Sequence, residues 1–549
     1  MPSGAQENLF GEIEPKTISI EKSALVAGVS TATIRNWIKT GYLMSSGKGL
    51  ITLDSLEHFK KEVAGKTKLI HRANKSLKDD HDHQKVTSIF LDKISKSTGE
   101  CDSLGVEYER RLSESYRNKE GIYYTPKSIV DELFRLDSFI PETASFCDPC
   151  CGSGNFVMRA LSLGFRPENV YAFDTDPIAV ELTKKRIYER CGYESKNIMK
   201  DDFLKMATSI KNRKYDYIFT NPPWGKKIEK KVREGIAALL RAGASIDTCS
   251  LFFFACLNSL ENNGTLGILL PEAFFNISSF EDARKRAQKF QIERFVDFGK
   301  PFDGLMTKAQ AIVLSNNRST PKDFVVCESG KSFSKRSLSS LTDNPKSVFN
   351  FYCSQEDAET IAHVFSIPHI NLKNRAKWGI GIVTGNNAKF VKEKPADNLI
   401  PVFKGSDITE NGLREPSGYI PSDMSLYQQV APMEIYTSKE KLIYKFISSK
   451  LCFVHDVNQQ FVLNSANILI PDNGFPVKMK ILCGLLNSDF MNWVFMKIFN
   501  THKVLRTDLE TLPIHSQFLM DEQFNESVFL SKMNIERTAD GTYRAKRYN

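Results

Sequence analysis

The chain has 549 residues, 74 Lys and Arg against 65 Asp and Glu, a net charge of +9 and an apolar share of 41%. That length supports more than one core, so about two to four domains are expected, and the positive balance favours a polyanionic partner. No apolar run reaches the roughly 18 residues of a membrane span, and Met1 to Pro15 is polar and acidic, so neither a membrane partner nor a secretory leader is expected and the cytoplasm is the expected compartment.

Residues 1–14 read as a disordered tail. Beyond them, Glu21 to Ala27 and Thr31 to Thr40 have the pattern of two short helices, with Gly28 at the turn and Ser30 as N-cap. Leu25, Val29, Ile34, Trp37 and Ile38 would form their core. Gly41-Tyr42-Leu43 and Ile51-Thr52-Leu53 read as a hairpin, followed by a helix from Ser55 to Glu62. Residues 15–65 therefore resemble a small MerR-like winged helix-turn-helix, which could contact DNA as a regulator, help target recognition, or serve only in packing. Residues 66–115 are expected to be a linker with bridging helices, from Val86 to Ile94 and from Glu107 to Asn118. His71, His81 and His83 lie in this polar stretch with no cysteine near them, so they read as solvated side chains and no metal is expected.

The next elements carry chemistry. Tyr123-Tyr124-Thr125-Pro126 reads as a helix start, with Thr125 as N-cap and Pro126 in the first turn. The run from Ala144 to Phe156, with Cys147-Asp148-Pro149-Cys150-Cys151-Gly152-Ser153-Gly154 at its centre, reads as a short strand, then a glycine-bearing turn, then a helix from about Phe156 to Leu163. A second strand, Val170 to Phe173, ends in Asp174. An acid about 20 residues past a glycine turn is the Rossmann arrangement for holding ribose hydroxyls. The third glycine of a dinucleotide site is missing, however, and Asp148 would repel a pyrophosphate. A cofactor without phosphates that carries an ammonium and a sulfonium suits that acid better, and S-adenosylmethionine is such a molecule. Asp202 and Phe203, after a third short segment, suit an adenine amino group and ring. The 11 cysteines are odd in number and lie in apolar surroundings, as expected of reduced thiols. Cys147-Asp148-Pro149-Cys150 lacks the second ligand pair of a structural zinc.

The tetrapeptide Asn221-Pro222-Pro223-Trp224 follows an apolar strand, Tyr215 to Thr220, and so falls at a carboxyl strand end, where open α/β sheets bind ligands. The Asn221 side-chain oxygen and the Pro222 carbonyl can each accept an N–H from a planar exocyclic amine, drawing its nitrogen toward tetrahedral geometry. The prolines keep the loop out of helix and ladder, and Trp224 can stack on the ring. Lys226, Lys227, Lys230, Lys231 and Arg233 follow directly, as phosphate contacts or as a solvated helix face. Ser250 to Leu260 then reads as an apolar helix. Gly264 to Pro271, Ile292 to Asp297 and Ala309 to Leu314 read as strands that complete a sheet of about seven, the usual doubly wound plan.

With these residues assembled, the chain resembles the gamma-class, TaqI-like N6-adenine DNA methyltransferases of restriction–modification systems, from about Gly121 to Asn316 and more loosely from about Ile382 to Ile514. The resemblance implies an α/β, Rossmann-like S-adenosylmethionine-dependent catalytic domain at 116–320, a connector at 321–365, an α+β target-recognition domain at 366–530 and a flexible tail at 531–549. It implies cofactor contacts from Tyr124, Thr125, Pro126, Asp148, Pro149, Cys150, Gly152, Gly154, Asp174, Asp202, Phe203 and Asn221. Asn221, Pro222, Pro223 and Trp224 would hold a flipped adenine, with Phe302 as a second aromatic wall. Cys150-Cys151 and Trp224 depart from the family's usual small or apolar residues and from its Tyr or Phe. In the carboxyl third, Asn464 to Asn467 and Asn500 to Arg506, through Leu512-Pro513-Ile514, resemble the family's specificity domain, and Lys503 and Arg506 are its candidate DNA contacts.

The implied partners are double-stranded DNA and a separate cognate endonuclease, since no nuclease motif is formed; Glu328 and Lys331 are misplaced for one. The same Asn-Pro-Pro-aromatic chemistry also serves N4-cytosine, RNA-base and protein-glutamine methyltransferases, and these remain alternatives. So does a DNA-binding regulator with a dormant fold.

Overall fold

A computed structural model describes residues 17–27, 31–39, 43–44, 50–62, 89–96, 101–111, 123–136, 139–209, 213–302, 305, 307–317, 324–330 and 332–546. The chain divides into two compact units, Met1–Tyr124 with Asp176–Glu194, and Thr125–Thr175 with Ser195–Asn549.

In the first unit, helices Ile20–Ala27, Thr31–Lys39 and Leu53–Glu62 form, and Ile20, Ala24, Ile34, Trp37, Leu43, Ile51 and Leu56 make a small core. The strand pairing differs from expectation. β1 (Thr17–Ser19) pairs antiparallel with β2 (Leu50–Thr52), bringing Ile18 opposite Ile51, and the Thr52 N–H reaches the Met44 carbonyl at 3.0 Å. Gly28, Ser30, Gly41, Tyr42, the tail at 1–14 and the three linker histidines lie outside the described residues. The bridging helices run over 89–96 and Cys101–Arg111, the second starting earlier than its apolar spacing suggests. They share a core of Phe90, Ile94, Tyr108, Ile178 and Leu182 with helix Pro177–Cys191, whose N-cap Asp176 also accepts the Tyr108 hydroxyl at 2.7 Å.

The second unit is built on nine strands: β3 (Phe146–Asp148), β4 (Val170–Asp174), β5 (Ile198–Lys200), β6 (Tyr215–Thr220), β7 (Leu260–Pro271), β8 (Gln291–Asp297), β9 (Ala309–Ser315), β10 (Phe324–Ser329) and β11 (Ser332–Ser337). They stand in the order β11-β10-β8-β9-β7-β6-β3-β4-β5. β3 pairs in parallel with β4 and β6, β4 with β5, and β6 with β7; β9 runs antiparallel to both neighbours. The crossover between β3 and β6 leaves two adjacent strands whose loops depart in opposite directions along the sheet, the switch point at which such folds bind ligands. β3 and β6 are pinned there by Asp216, which accepts both the Ser145 amide at 2.9 Å and its hydroxyl at 2.7 Å. β6 and β7 approach so closely that a Cβ on Gly267 would lie 2.3 Å from the Phe219 ring.

Two elements correct the expectation of about seven strands and a plain connector over 321–365. β10 joins the sheet parallel to β8, burying Val325 and Cys327, and β11 forms the antiparallel edge. Glu328, at the end of β10, is engaged by Arg135 at 2.6 Å and Arg294 at 3.5 Å, which accounts for it structurally.

The carboxyl region has a four-stranded antiparallel sheet in the order Ala376–Ile380, Ala466–Pro471, Lys441–Lys445, Phe453–Asp456. A three-stranded sheet places Leu399–Phe403 between Gly418–Pro421 and Phe461–Val462. Helices Met479–Asn487 and Asp489–Phe499 pack with the larger sheet. Within the stretch 531–549, expected to be a flexible tail, the described residues 531–546 form a helix end and a hairpin. Ile535–Arg537 pairs with Tyr543–Ala545, and Tyr543 lies against Phe490 and Trp493, with ring centroids 5.1 and 5.4 Å away. Alternation explains the misreading: Ile535 and Tyr543 turn inward while Glu536 and Arg544 face water and bond each other.

Side chains from the sheet side close the end of helix Asp489–Phe499. Its last carbonyls have no partner within the helix. Asn350 donates to the Lys497 carbonyl at 3.2 Å, the Tyr352 hydroxyl to that of Ile498 at 2.8 Å, and Asn276 to that of Phe499 at 2.9 Å. Arg284 is fully buried close by and donates to four carbonyls, those of Phe274, Ile277, Lys346 and Ser347. Lys346 in turn pairs with the buried Asp508 at 2.6 Å.

Candidate active site at the carboxyl edge of the sheet

The turn after β3 forms because its glycines supply backbone that other residues resist, with φ of 49° at Gly152 and 87° at Gly154. Gly154 then caps helix Asn155–Ser162. The turn is clamped from β4: Cys151 N–H reaches the Phe173 carbonyl and Gly152 N–H reaches Asp174 Oδ2, both at 2.9 Å. Asp174 therefore shapes the glycine turn as well as standing where a ribose acid is expected.

Asp148, the last residue of β3, is wholly buried. One carboxylate oxygen accepts the Cys150 amide at 3.2 Å, and Oδ2 has no hydrogen-bond partner among the described residues. Burial pushes its pKa from the ordinary value up to about 7, and the Thr220 hydroxyl and the Cys150 amide offset only part of that rise. A buried carboxylate with an oxygen to spare is the complement of a cation. The donor set thus fits the ammonium of the expected cofactor and opposes a phosphate.

Of the remaining cofactor candidates, Asp202 caps helix Phe203–Ala207 by accepting the Leu204 amide. Phe203 is buried against Phe173, centroids 5.5 Å apart, so its ring belongs to the core and offers no open face for stacking. Thr125 is buried and precedes the capping position, which Pro126 occupies without a side-chain bond; the next helix is Lys127–Leu133. The proline ring fixes this entry angle and leaves Thr125 to present its carbonyl to Asn155 Nδ2 at 2.9 Å. Asn155 thereby links the Thr-Pro segment to the glycine turn, a role the sequence signals only by an amide in the first helical turn. Tyr124 belongs to the first unit, where its ring lies 6.4 Å from that of Tyr108. Cys147 and Cys150 are thiols pushed well up by burial, and no metal-holding cluster occurs among the described residues.

Register puts the second loop beside the first. Phe146 pairs with Tyr217 and Cys147 with Ile218, so Asp148 and Asn221 leave neighbouring strands at the same edge. Asn221 and Pro223 are half-buried and Pro222 is buried. Trp224 Nε1 donates to the Leu269 carbonyl at 3.4 Å, which anchors the indole on β7. Phe302 meets Trp224 edge to face, centroids 5.6 Å apart at 86°. Phe302 itself is buried. Such a right-angled pair makes an apolar corner for a flat ring. Lys227 is exposed; Lys226 is half-buried and its carbonyl accepts the Thr248 hydroxyl at 2.5 Å. Lys503 is exposed in the carboxyl region, while Arg506 bonds Glu510 at 2.7 Å and lies over Trp378.

The N-6 DNA methylase family matches residues 99–377, and the TaqI-like C-terminal specificity domain matches residues 400–514. The Type II methyltransferase M.VspI of Vibrio sp. (strain 343) is 46% identical over 410 residues, 74% of this chain and 100% of that protein. The modification methylase CviBIII of Paramecium bursaria Chlorella virus NC1A is 25% identical over 225 residues, 39% of this chain and 55% of that protein. Among solved structures, a nuclease-deletion mutant of the Type ISP restriction–modification enzyme LlaGI, determined with a DNA substrate mimic, shares the fold with a TM-score of 0.51 at 11% identity, over 88% of this chain and 61% of that chain. No helix among the described residues is long and apolar enough to cross a membrane. With its family match over the sheet, its specificity-domain match beyond it and its close Vibrio relative, the chain belongs to the N-6 DNA methylases, as a TaqI-like DNA methyltransferase of restriction–modification systems.

Proposed function

We propose that this chain methylates N6 of a flipped adenine within a specific site in duplex DNA, with S-adenosylmethionine as donor, and so protects host DNA from a cognate endonuclease carried on a separate protein in the cytoplasm. One observation carries the reading: the Asn221 loop and the glycine turn that ends in Asp148 leave adjacent parallel strands at one edge. Amine acceptors and a cation-binding carboxylate thus share a site.

The chain's own residues then have distinct tasks. Asp148 holds the ammonium; Asp174 and Asp202 offer carboxylates to ribose and adenine. S-adenosylmethionine, when bound, supplies an electrophilic methyl group. Extruding the base costs a few kcal/mol of stacking, which the Trp224 and Phe302 corner offsets by receiving the ring. The Asn221 side-chain oxygen and the Pro222 carbonyl accept the two amine hydrogens, leaving the nitrogen lone pair directed at the methyl. Positioning of this kind can supply about 7–11 kcal/mol of rate acceleration without a metal or a covalent enzyme intermediate. The excess proton leaves to solvent once the nitrogen has been alkylated. Residues 366–530 act as the target-recognition domain, and residues 15–65 act as a helix-turn-helix module on DNA.

Asn221 favours adenine over N4-cytosine, for which serine is the commoner acceptor. Two flanking domains favour DNA over a glutamine or RNA substrate. Sequencing DNA from cells that express the protein, with modified bases identified, tests all of this at once. N6-methyladenine at one short motif, absent with Asn221→Ala, is expected. N4-methylcytosine would transfer the assignment to the alternative base, and unmodified DNA would remove it.

A further inference from the structure

The two segments that resemble a specificity signature, 464–467 and 500–506, lie apart in the chain, yet one short stretch ties them together. The Phe446 amide donates to the Ser465 carbonyl at 3.1 Å. Its carbonyl accepts the Val504 amide, and the Ser448 amide reaches the His502 carbonyl, both at 2.8 Å. Between them Ile447 pairs with Lys503 in an antiparallel bridge. Backbone bonds therefore hold this tip on both sides. Despite that, the Ile447 side chain is 66% exposed.

Cations lie near it in the chain and across the bridge. Lys445 is two residues away, Lys503 is the pairing partner, and Arg414 and Lys450 line an adjoining cleft of about 390 Å³. Lys450 reaches Glu410 and Asp489 at 3.7 and 3.6 Å, whereas Arg414, Lys445 and Lys503 make no ion pair among the described residues. An apolar protein surface would not match a lone aliphatic group set among uncompensated cations. Duplex nucleic acid would: its phosphates take the cations, and its grooves present base edges and thymine methyls to an apolar group. The segment paired with the tip is fastened close to the reacting edge. Asn276 and Ser278, soon after the carboxyl end of β7, bond Phe499 and Thr507 on either side of the 500–506 segment.

We propose that Ile447 is an apolar contact in a DNA groove, held in register by Lys445 and Lys503 on the flanking phosphates. The inference rests on the DNA substrate proposed above. It is tested with the full chain and a duplex carrying the motif that the wild type methylates, with binding measured across a range of salt concentrations. Ile447→Ala and Ile447→Ser should weaken binding about tenfold, the size of one base-edge interaction, and leave the salt dependence unchanged. Lys445→Ala with Lys503→Ala should lower the log–log salt slope by about 2, roughly 1 for each phosphate deprived of its lysine. Cofactor binding and Tm should match the wild type in every variant. Wild-type affinity in both Ile447 variants, a reduced salt slope in Ile447→Ala, or an affinity loss that tracks a fall in Tm would each overturn the assignment. A wild type that marks no DNA would instead bring down the functional reading itself, and that result is visible before any variant is made.

Discussion

The reacting edge and the recognition rim handle polar groups in opposite ways. At the edge, Asp148 is withdrawn from water with one oxygen unsatisfied, and the loop after the neighbouring strand carries Trp224, which meets Phe302 edge to face. At the rim, Lys445, Lys503 and Arg414 stay near the surface around an exposed Ile447. Burial makes a single charge decisive, because an interaction in a dry site is strong and an unpaired group there is costly. Exposure makes many charges individually small but collectively long-ranged. On the proposed reading, one region acts on one atom and the other holds a long polymer.

This contrast can be broken in graded ways. The largest effect expected is from Asn221→Ala: kcat should fall on the order of a thousandfold, as when one preorganised transition-state partner is removed, while equilibrium binding of cofactor and of duplex changes little. A parallel loss of DNA affinity would erase the division of labour. Next is Arg284→Met, at the joint between edge and rim, which removes one buried donor from four carbonyls. Unfolding in denaturant should show a loss of about 3 kcal/mol or more.

The pH dependence of cofactor affinity should follow Asp148. The folded pKa of this group is raised to about 7 by burial. A cation needs the ionised form, so affinity should be full above that pH and should weaken by about tenfold per unit below it, with proton release on binding seen by calorimetry in buffers of different ionisation heat. The same shift works against stability: the folded state holds the proton more tightly than the unfolded state, so stability declines as pH rises from the ordinary carboxylate range to about 7, and Asp148→Asn should remove that slope. The smallest effect expected is from Phe302→Leu, which keeps an apolar wall but gives up the edge-to-face pairing of rings, worth about 0.5–1.5 kcal/mol. KM for DNA should rise severalfold with kcat nearly intact.

What could be read in the sequence was what is local. The order strand, glycine turn, helix, acid is contiguous in the chain, as is Asn221 to Trp224, and both sit where the spacing puts them. β11 was hidden because an edge strand such as Ser332–Ser337 is mostly polar, so its alternation is weak. The hairpin at 535–545 was hidden for the same reason, with only Ile535 and Tyr543 turned inward. Phe203 reads as an adenine platform from its position alone, but the core claims it through Phe173. At the rim Lys503 was legible as a candidate contact, but the joining of 464–467 to 500–506 was not, because Phe446, Ser465 and Val504 meet through backbone bonds, which leave no residue-type signature.

The closure of helix Asp489–Phe499 has an evolutionary corollary. Asn276, Asn350 and Tyr352 grip main-chain oxygens of Lys497, Ile498 and Phe499, whatever side chains those positions carry. Such a socket accepts any module whose terminal turn stops at the same height. Sequence-reading halves could therefore be exchanged between lineages, or by an engineer, with the chemical half left untouched, provided the swapped piece brings its own counterpart of Asp508 for Lys346.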